Sequence, residues 1–188
     1  MKRSTISLVT LAAALVPLAA VEAAVIVYRD RSAWESAVGN AFHEEVFDDE
    51  LLPPAVSVSS DNGFINTGKG AWLDRVDDSE MTTWTFATPI LGFGANWDLV
   101  GPSGIRLSID GQFVGQEISK GTKGEFFGIT SDDFFQEVLV AGGTQGRGRE
   151  TYEMDDMVYS KHAPEPSTFL VWSLLAALGI GCGWRRRR

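Results

Sequence analysis

A period of two limits this chain more than any other feature. Leu91, Phe93, Ala95 and Trp97 alternate with Gly92, Gly94 and Asn96, and Ile105, Leu107 and Ile109 alternate with Arg106 and Ser108. Successive side chains of a strand point to opposite faces. This alternation therefore predicts half-buried strands and not amphipathic helices, whose apolar residues recur every three to four positions. Asp110-Gly111 separates the second run from Gln112-Phe113-Val114. Asp-Gly tolerates the positive φ that a two-residue turn needs at both positions, so a hairpin is expected there. Other strands are expected at 25–28, 56–59, 71–73, 82–86, 125–130, 136–140 and 151–159, with turns rich in Gly, Asp, Pro and Ser between them. One short helix interrupts the pattern. Asp30 or Ser32 caps it, Ser32 and Glu35 stand at capping-box spacing, and Gly39 stops it. The expected fold is all-β: a jelly-roll-like antiparallel β-sandwich with one short N-terminal helix. Gly142 to Gly148 reads as a mobile loop.

The two ends follow other rules. Met1-Lys2-Arg3 precedes an apolar stretch that closes on Val21-Glu22-Ala23. A short positive region, an apolar run and a small-residue exit make a secretory signal peptide, 1–23, with cleavage expected after Ala23. At the other end an apolar run, 169–184, is followed by Arg185, Arg186, Arg187 and Arg188. Sixteen residues make a helix of about 24 Å, slightly short of a hydrocarbon core of about 30 Å. Trp172 and Trp184 suit the interfaces, and the arginines suit the cytoplasmic side. A C-terminal transmembrane helix is expected, with the domain before it facing outward, as the signal peptide also requires.

Pro164-Glu165-Pro166, one short apolar helix and a terminal arginine cluster occur here in that order. This tail, 161–188 with its linker, resembles the PEP-CTERM sorting signal. The resemblance implies that Pro164, Glu165 and Pro166 are recognised by exosortase, a membrane transpeptidase, and that the arginine cluster is the stop signal. It also implies the route: export, transient anchoring in the inner membrane through the C-terminal helix, then release to the cell envelope, outer surface or extracellular matrix of a Gram-negative bacterium that makes exopolysaccharide.

The middle, 24–160, is the working domain. Between Ala24 and Ala163 there are ten basic and 23 acidic residues, a net charge of −13 against −9 for the whole chain of 188. Such a surface excludes general nucleic-acid binding, which needs Lys/Arg to replace counterions on phosphates. The single cysteine, Cys182, lies in the tail, so the domain has neither a disulfide nor a thiol nucleophile. Its histidines are His43, expected at the surface beside Glu44 and Glu45, and His162 in the linker. There is no Gly-x-Ser-x-Gly motif, no phosphate-binding glycine loop and no EF-hand loop. An enzyme is not expected, and a small glycan-active hydrolase is the least favoured alternative.

Two acidic groups stand far apart in sequence: Glu44, Glu45, Asp48 and Asp49, and then Asp155 and Asp156. In a sandwich the first and last strands can lie side by side. That would crowd like charges unless a cation lies between them. Calcium takes six to eight oxygen ligands, and Glu45, Asp48, Asp155 and Asp156 are the expected ligands of a structural calcium. The alternative is a solvated acidic face. Of the tryptophans, Trp97 shares a face with Phe93 and belongs in the core, and Trp34 packs the helix on the sheet. Trp72 and Trp84 are the exposed candidates for stacking on sugar rings. Phe126-Phe127 and Phe134-Phe135 each place one ring on either face of a strand.

The segments AspArgSerAlaTrpGluSerAlaValGly at 30–39 and GluGluValPheAspAsp at 44–49, the later PhePheGlyIle at 126–129 and the final Asp155-Asp156 strand resemble small sandwich domains of PEP-CTERM proteins, which look like lectins and carbohydrate-binding modules. The resemblance implies a non-catalytic envelope or exopolysaccharide-matrix protein whose partners are glycans. The alternative is a structural or adhesive surface protein that binds no sugar.

Overall fold

The computed structural model describes residues 24–160. The signal peptide, the linker, Pro164, Glu165, Pro166, the transmembrane helix 169–184 and Arg185 to Arg188 all lie outside the described residues, as does His162. Among the described residues no helix is long and apolar enough to cross a membrane.

The order of elements is β1 (Val25–Tyr28), α1 (Arg31–Ala37), β2 (Phe42–Glu45), β3 (Val56–Ser59), β4 (Phe64–Asn66), β5 (Ala71–Val76), β6 (Thr82–Leu99), β7 (Ile105–Ile109), β8 (Gln112–Ile118), β9 (Glu125–Gly142) and β10 (Glu150–Ser160). The strands form one sheet in the order β4-β5-β10-β6-β9-β7-β8, with β1 on β9, β2 on β10 and β3 on β6. Every pairing is antiparallel.

Two 18-residue strands make this sheet a sandwich. Sequence reading divides each into two strands, 82–86 with 91–97 and 125–130 with 136–140. The structure instead runs each pair as one bent strand. The first half of β6 pairs with β3 and with the late half of β9, whereas its second half pairs with β10 and the early half of β9. The register shifts between Thr85 and Gly92, where Pro89 has no N–H to give to a ladder. Folding over at these corners brings Trp84, Phe86, Phe93, Trp97, Leu107, Ile118, Phe127, Val138, Tyr152 and Met154 into one core.

The hairpin forms as expected. Asp110 and Gly111 take φ values of 45° and 81°, and Ile109 pairs with Gln112. Asp30, not Ser32, caps α1: its carboxylate accepts from the Ala33 N–H at 2.8 Å and from the Ser32 hydroxyl at 2.6 Å. Glu35 pairs with Arg31 and takes no part in a capping box.

The 91–97 strand is buried on both faces, not on one. α1 lies on its outer side, and Trp34 is fully buried there against Phe126 and Phe42. The Trp34 indole N–H donates to the Ile129 carbonyl at 2.9 Å. Gly94 gives Phe126 its space, since a methyl group at that position would stand 2.6 Å from the ring. The alternating glycines therefore form the bed of a second, smaller core.

Loop 142–148 is pinned, contrary to its glycine-rich sequence. Gly143 and Gln145 donate backbone N–H groups to Gly104 and Ser103, and the Gln145 amide bonds to Glu117 and to the Ile118 carbonyl. Thr144 gives Glu117 both its N–H and its hydroxyl. Burial raises the Glu117 pKa, but these donors outweigh it and hold the carboxyl below its ordinary value.

Candidate functional site

The expected acidic site assembles only in part. β2 and β10 do lie side by side, with Glu45 opposite Met157 and Glu44 opposite Val158. The cation between the two acidic groups is the chain's own Arg31. Its guanidinium bonds Glu44 at 2.6 Å and Glu35 at 2.8 Å, and stands 4.0 Å from Asp156. Glu45 turns instead to the Phe47 N–H at 2.7 Å, and Asp48 is exposed on the following loop. Asp156, at φ 45° in a bulge of β10, accepts from the Asn96 amide at 2.9 Å. Partial burial, then the charges of Asp156 and Asp98, push the Asp155 carboxyl above its ordinary pKa. Among the described residues no three His, Cys, Asp or Glu side chains gather as a metal-holding group. Of the four expected ligands, Glu45 is engaged by backbone and Asp156 by amide and guanidinium, while Asp48 is exposed and Asp155 partly buried.

Trp72 and Trp84 are core residues, 5% and 0% exposed. Their rings meet edge to face at 5.1 Å, and Trp84 also packs on Phe47. The expectation that they face solvent fails because β5 and the first half of β6 turn these positions inward against the facing layer. Phe126 is covered by α1, and Phe127 and Phe135 belong to the main core. His43 is exposed, with its ring 5.2 Å from that of Tyr159.

The aromatic surface lies elsewhere, beside the hairpin. A cleft of about 520 Å³ opens between the β7–β8 turn, the corner of β9 and the start of β1. Val25, Ile109 and Phe135 supply apolar lining, and Phe113 and Phe134 supply rings that solvent can reach. Phe113 is 48% exposed. Asp110, Gln112, Ser131 and Asp133 add polar groups. Exposed rings beside carboxylate, amide and hydroxyl groups match what a sugar needs: an apolar platform for its C–H face, and donors and acceptors for its hydroxyls.

Local structure holds these groups in place. One oxygen of Asp110 accepts from the N–H groups of Gln136 and Glu137, at 3.3 and 3.1 Å, which ties the hairpin tip to β9. Ser131 faces Val25 across the β1–β9 ladder, and its hydroxyl accepts from the Asp133 N–H at 3.2 Å. No lysine, arginine or histidine lines the cleft among the described residues. Sequence reading placed Phe113 in a strand and assigned it no role. The signal was present: Val114 points inward, so its neighbour must point out. The Phe134-Phe135 pair in β9 requires one outward ring, and that ring is Phe134.

The sequence matches no protein-family model and no curated protein. Among solved structures, the chain is similar to a mutant of a carbohydrate-binding module of family 29, at 12% identity and a TM-score of 0.47, with 64% of this chain and 91% of that one covered. A second variant of a family 29 module gives 11% identity and a TM-score of 0.47 over 67% of this chain and 99% of that one. A third, complexed with mannohexaose, gives 10% identity and a TM-score of 0.45 over 64% and 91%.

Proposed function

We propose that this is an exported, non-catalytic surface protein whose β-sandwich binds glycans, and that its C-terminal sorting signal delivers it through exosortase to the envelope or the exopolysaccharide matrix. The observation that carries the binding reading is the cleft in which Phe113 and Phe134 stand among Asp110, Gln112, Ser131 and Asp133. The ends of the sequence carry the sorting reading. Glycoside hydrolysis needs two carboxyl groups free to act as acid and as base or nucleophile. One oxygen of Asp110 is already engaged by two backbone amides, which favours the non-catalytic reading.

The test is a glycan array with the full chain held in a detergent that has no sugar headgroup. Wild-type protein binds a defined set of glycans, and Phe113→Ala lowers affinity roughly fivefold or more, since removing a stacked ring costs about 1 kcal/mol or more. Stability changes little, because this ring is half exposed. An array with no positive glycan, or full retention of binding by the alanine variant, would remove the cleft from the function. Sorting is read separately: mass spectrometry of surface protein should find the C-terminal tail missing, and an intact Arg188 there would contradict the route.

A further inference from the structure

The charge of the cleft narrows the ligand class, an inference that rests on the glycan-binding reading above. We propose that the cleft selects glycans bearing free ammonium groups, such as de-N-acetylated amino sugars, over their neutral N-acetylated forms and over uronate-containing chains.

The argument starts from what lines the cleft. Its only charged groups among the described residues are the carboxylates of Asp110 and Asp133. Asp110 uses one oxygen on backbone amides and keeps the other open. Asp133 spends only its backbone N–H, on Ser131, and its carboxylate has no partner among the described residues. An exposed carboxylate without a partner keeps its charge and its hydration, ready to meet a cation. Phe113, half exposed, adds the negative face of its ring, which attracts an ammonium group as it attracts sugar C–H bonds. Arg29 lies beyond the far end of β1 and is engaged there: it stands over the Phe127 ring at 4.5 Å and donates to the Glu117 carbonyl. A uronate would therefore meet two like charges and no counter-charge. It would also have to approach a domain that carries a net −13. A neutral acetamido sugar would gain the rings and could give its hydroxyls to the carboxylates, but it would bring them no counter-charge.

The experiment titrates the full chain, in the same sugar-free detergent, with a short glucosamine oligomer, its fully N-acetylated counterpart and a uronate oligomer of equal length. The glucosamine oligomer should bind roughly three- to tenfold tighter than the acetylated one, the range expected of two solvent-exposed charge pairs. The gap should shrink as salt is raised, because screening sets in over about 8–10 Å. Asp133→Asn should erase most of the preference by weakening the glucosamine oligomer far more than the acetylated one, whereas Phe113→Ala should weaken both alike. Asp61→Asn, an exposed change outside the cleft, controls for general attraction of a polycation to an acidic protein. Equal or tighter binding of the acetylated or uronate oligomer overturns the selectivity and leaves the glycan reading standing. So does an Asp61→Asn effect as large as that of Asp133→Asn. Failure of all three oligomers to bind overturns the selectivity, and the array then decides whether the glycan reading falls with it.

Discussion

Carboxylates serve two opposite purposes in this domain. Glu150 and Asp74 are sealed inside it, 0% and 3% exposed, and every contact they make is to the chain itself. Glu150 accepts three backbone N–H groups, from Gly101, Ser103 and Gly104, and so fastens the β6–β7 connection to the start of β10. Asp74 accepts the hydroxyls of Ser60 and Thr82 and the Arg75 N–H, and Tyr152 donates in turn to Thr82 at 2.9 Å. Asp110 and Asp133 line an open cleft and keep acceptor capacity toward solvent. A buried charge persists only where donors surround it, so the sealed acids organise loops. An exposed acid needs no such donors and stays available to a ligand. A net charge of −13 hides this division: the count of acids says nothing about which are occupied.

The sharpest way to break the comparison is Glu150→Ala. Three donors would be left without an acceptor in a buried place, at about 1.5–3 kcal/mol for each bond to a charged group when fully lost. With partial relaxation and some entry of water, unfolding in urea should show a loss of about 4 kcal/mol and Tm should fall by roughly 10–20 °C. Glu150→Gln keeps an acceptor and should cost less. A loss under about 1 kcal/mol for the alanine variant would mean that the sealed acids do not organise the fold.

Asp74→Ala tests the second sealed acid at a smaller scale. Two hydroxyls can turn toward other acceptors, while the Arg75 N–H cannot, so a loss of about 2 kcal/mol is expected. Amide hydrogen exchange should locate it, with protection falling first at Asn62 and Gly63, whose N–H groups bond to Ser60.

The sequence disclosed what depends on local pattern. Alternation placed β7 and the second half of β6, and Asp110-Gly111 placed the hairpin whose tip borders the cleft; β2 and β4 are not among the expected strands. Sandwich topology suggests that the two acidic segments can lie side by side, and β2 does pair with β10. It did not disclose what depends on the third dimension. The corner at Pro89 looks like a loop in sequence and is a bend within one strand. Trp84 and Phe113 sit in similarly alternating strands, yet one is core and the other is cleft wall. The difference is one of face: Trp84 points into the main core, whereas Phe113, next to the inward Val114, points out. Arg31 belongs to the same lesson. A like-charge conflict was legible between Glu44 and Asp156, but only the folded helix shows that a nearby guanidinium relieves it.

Asp155 lies between the two classes and gives the smallest expected effect. It is partly buried beside Asp156 and Asp98, with too few donors to seal it, and its carboxyl pKa is raised in the folded state. A carboxyl raised on folding favours the native state most below its unfolded pKa, near 3.9, and that contribution is lost as pH rises through the folded value. At neutral pH the ionised group is therefore a mild burden. Asp155→Asn should be more stable than wild type at neutral pH by about 0.5 kcal/mol or less, since solvent screens a group this exposed. The advantage should vanish as the pH falls below the native pKa, which thermal unfolding at several pH values would show. If calcium, added at neutral pH, raised wild-type Tm and did nothing to the asparagine variant, Asp155 would rank with the open, ligand-ready acids. An unchanged wild-type Tm would place it with those whose charges the chain already balances through Asn96 and Arg31.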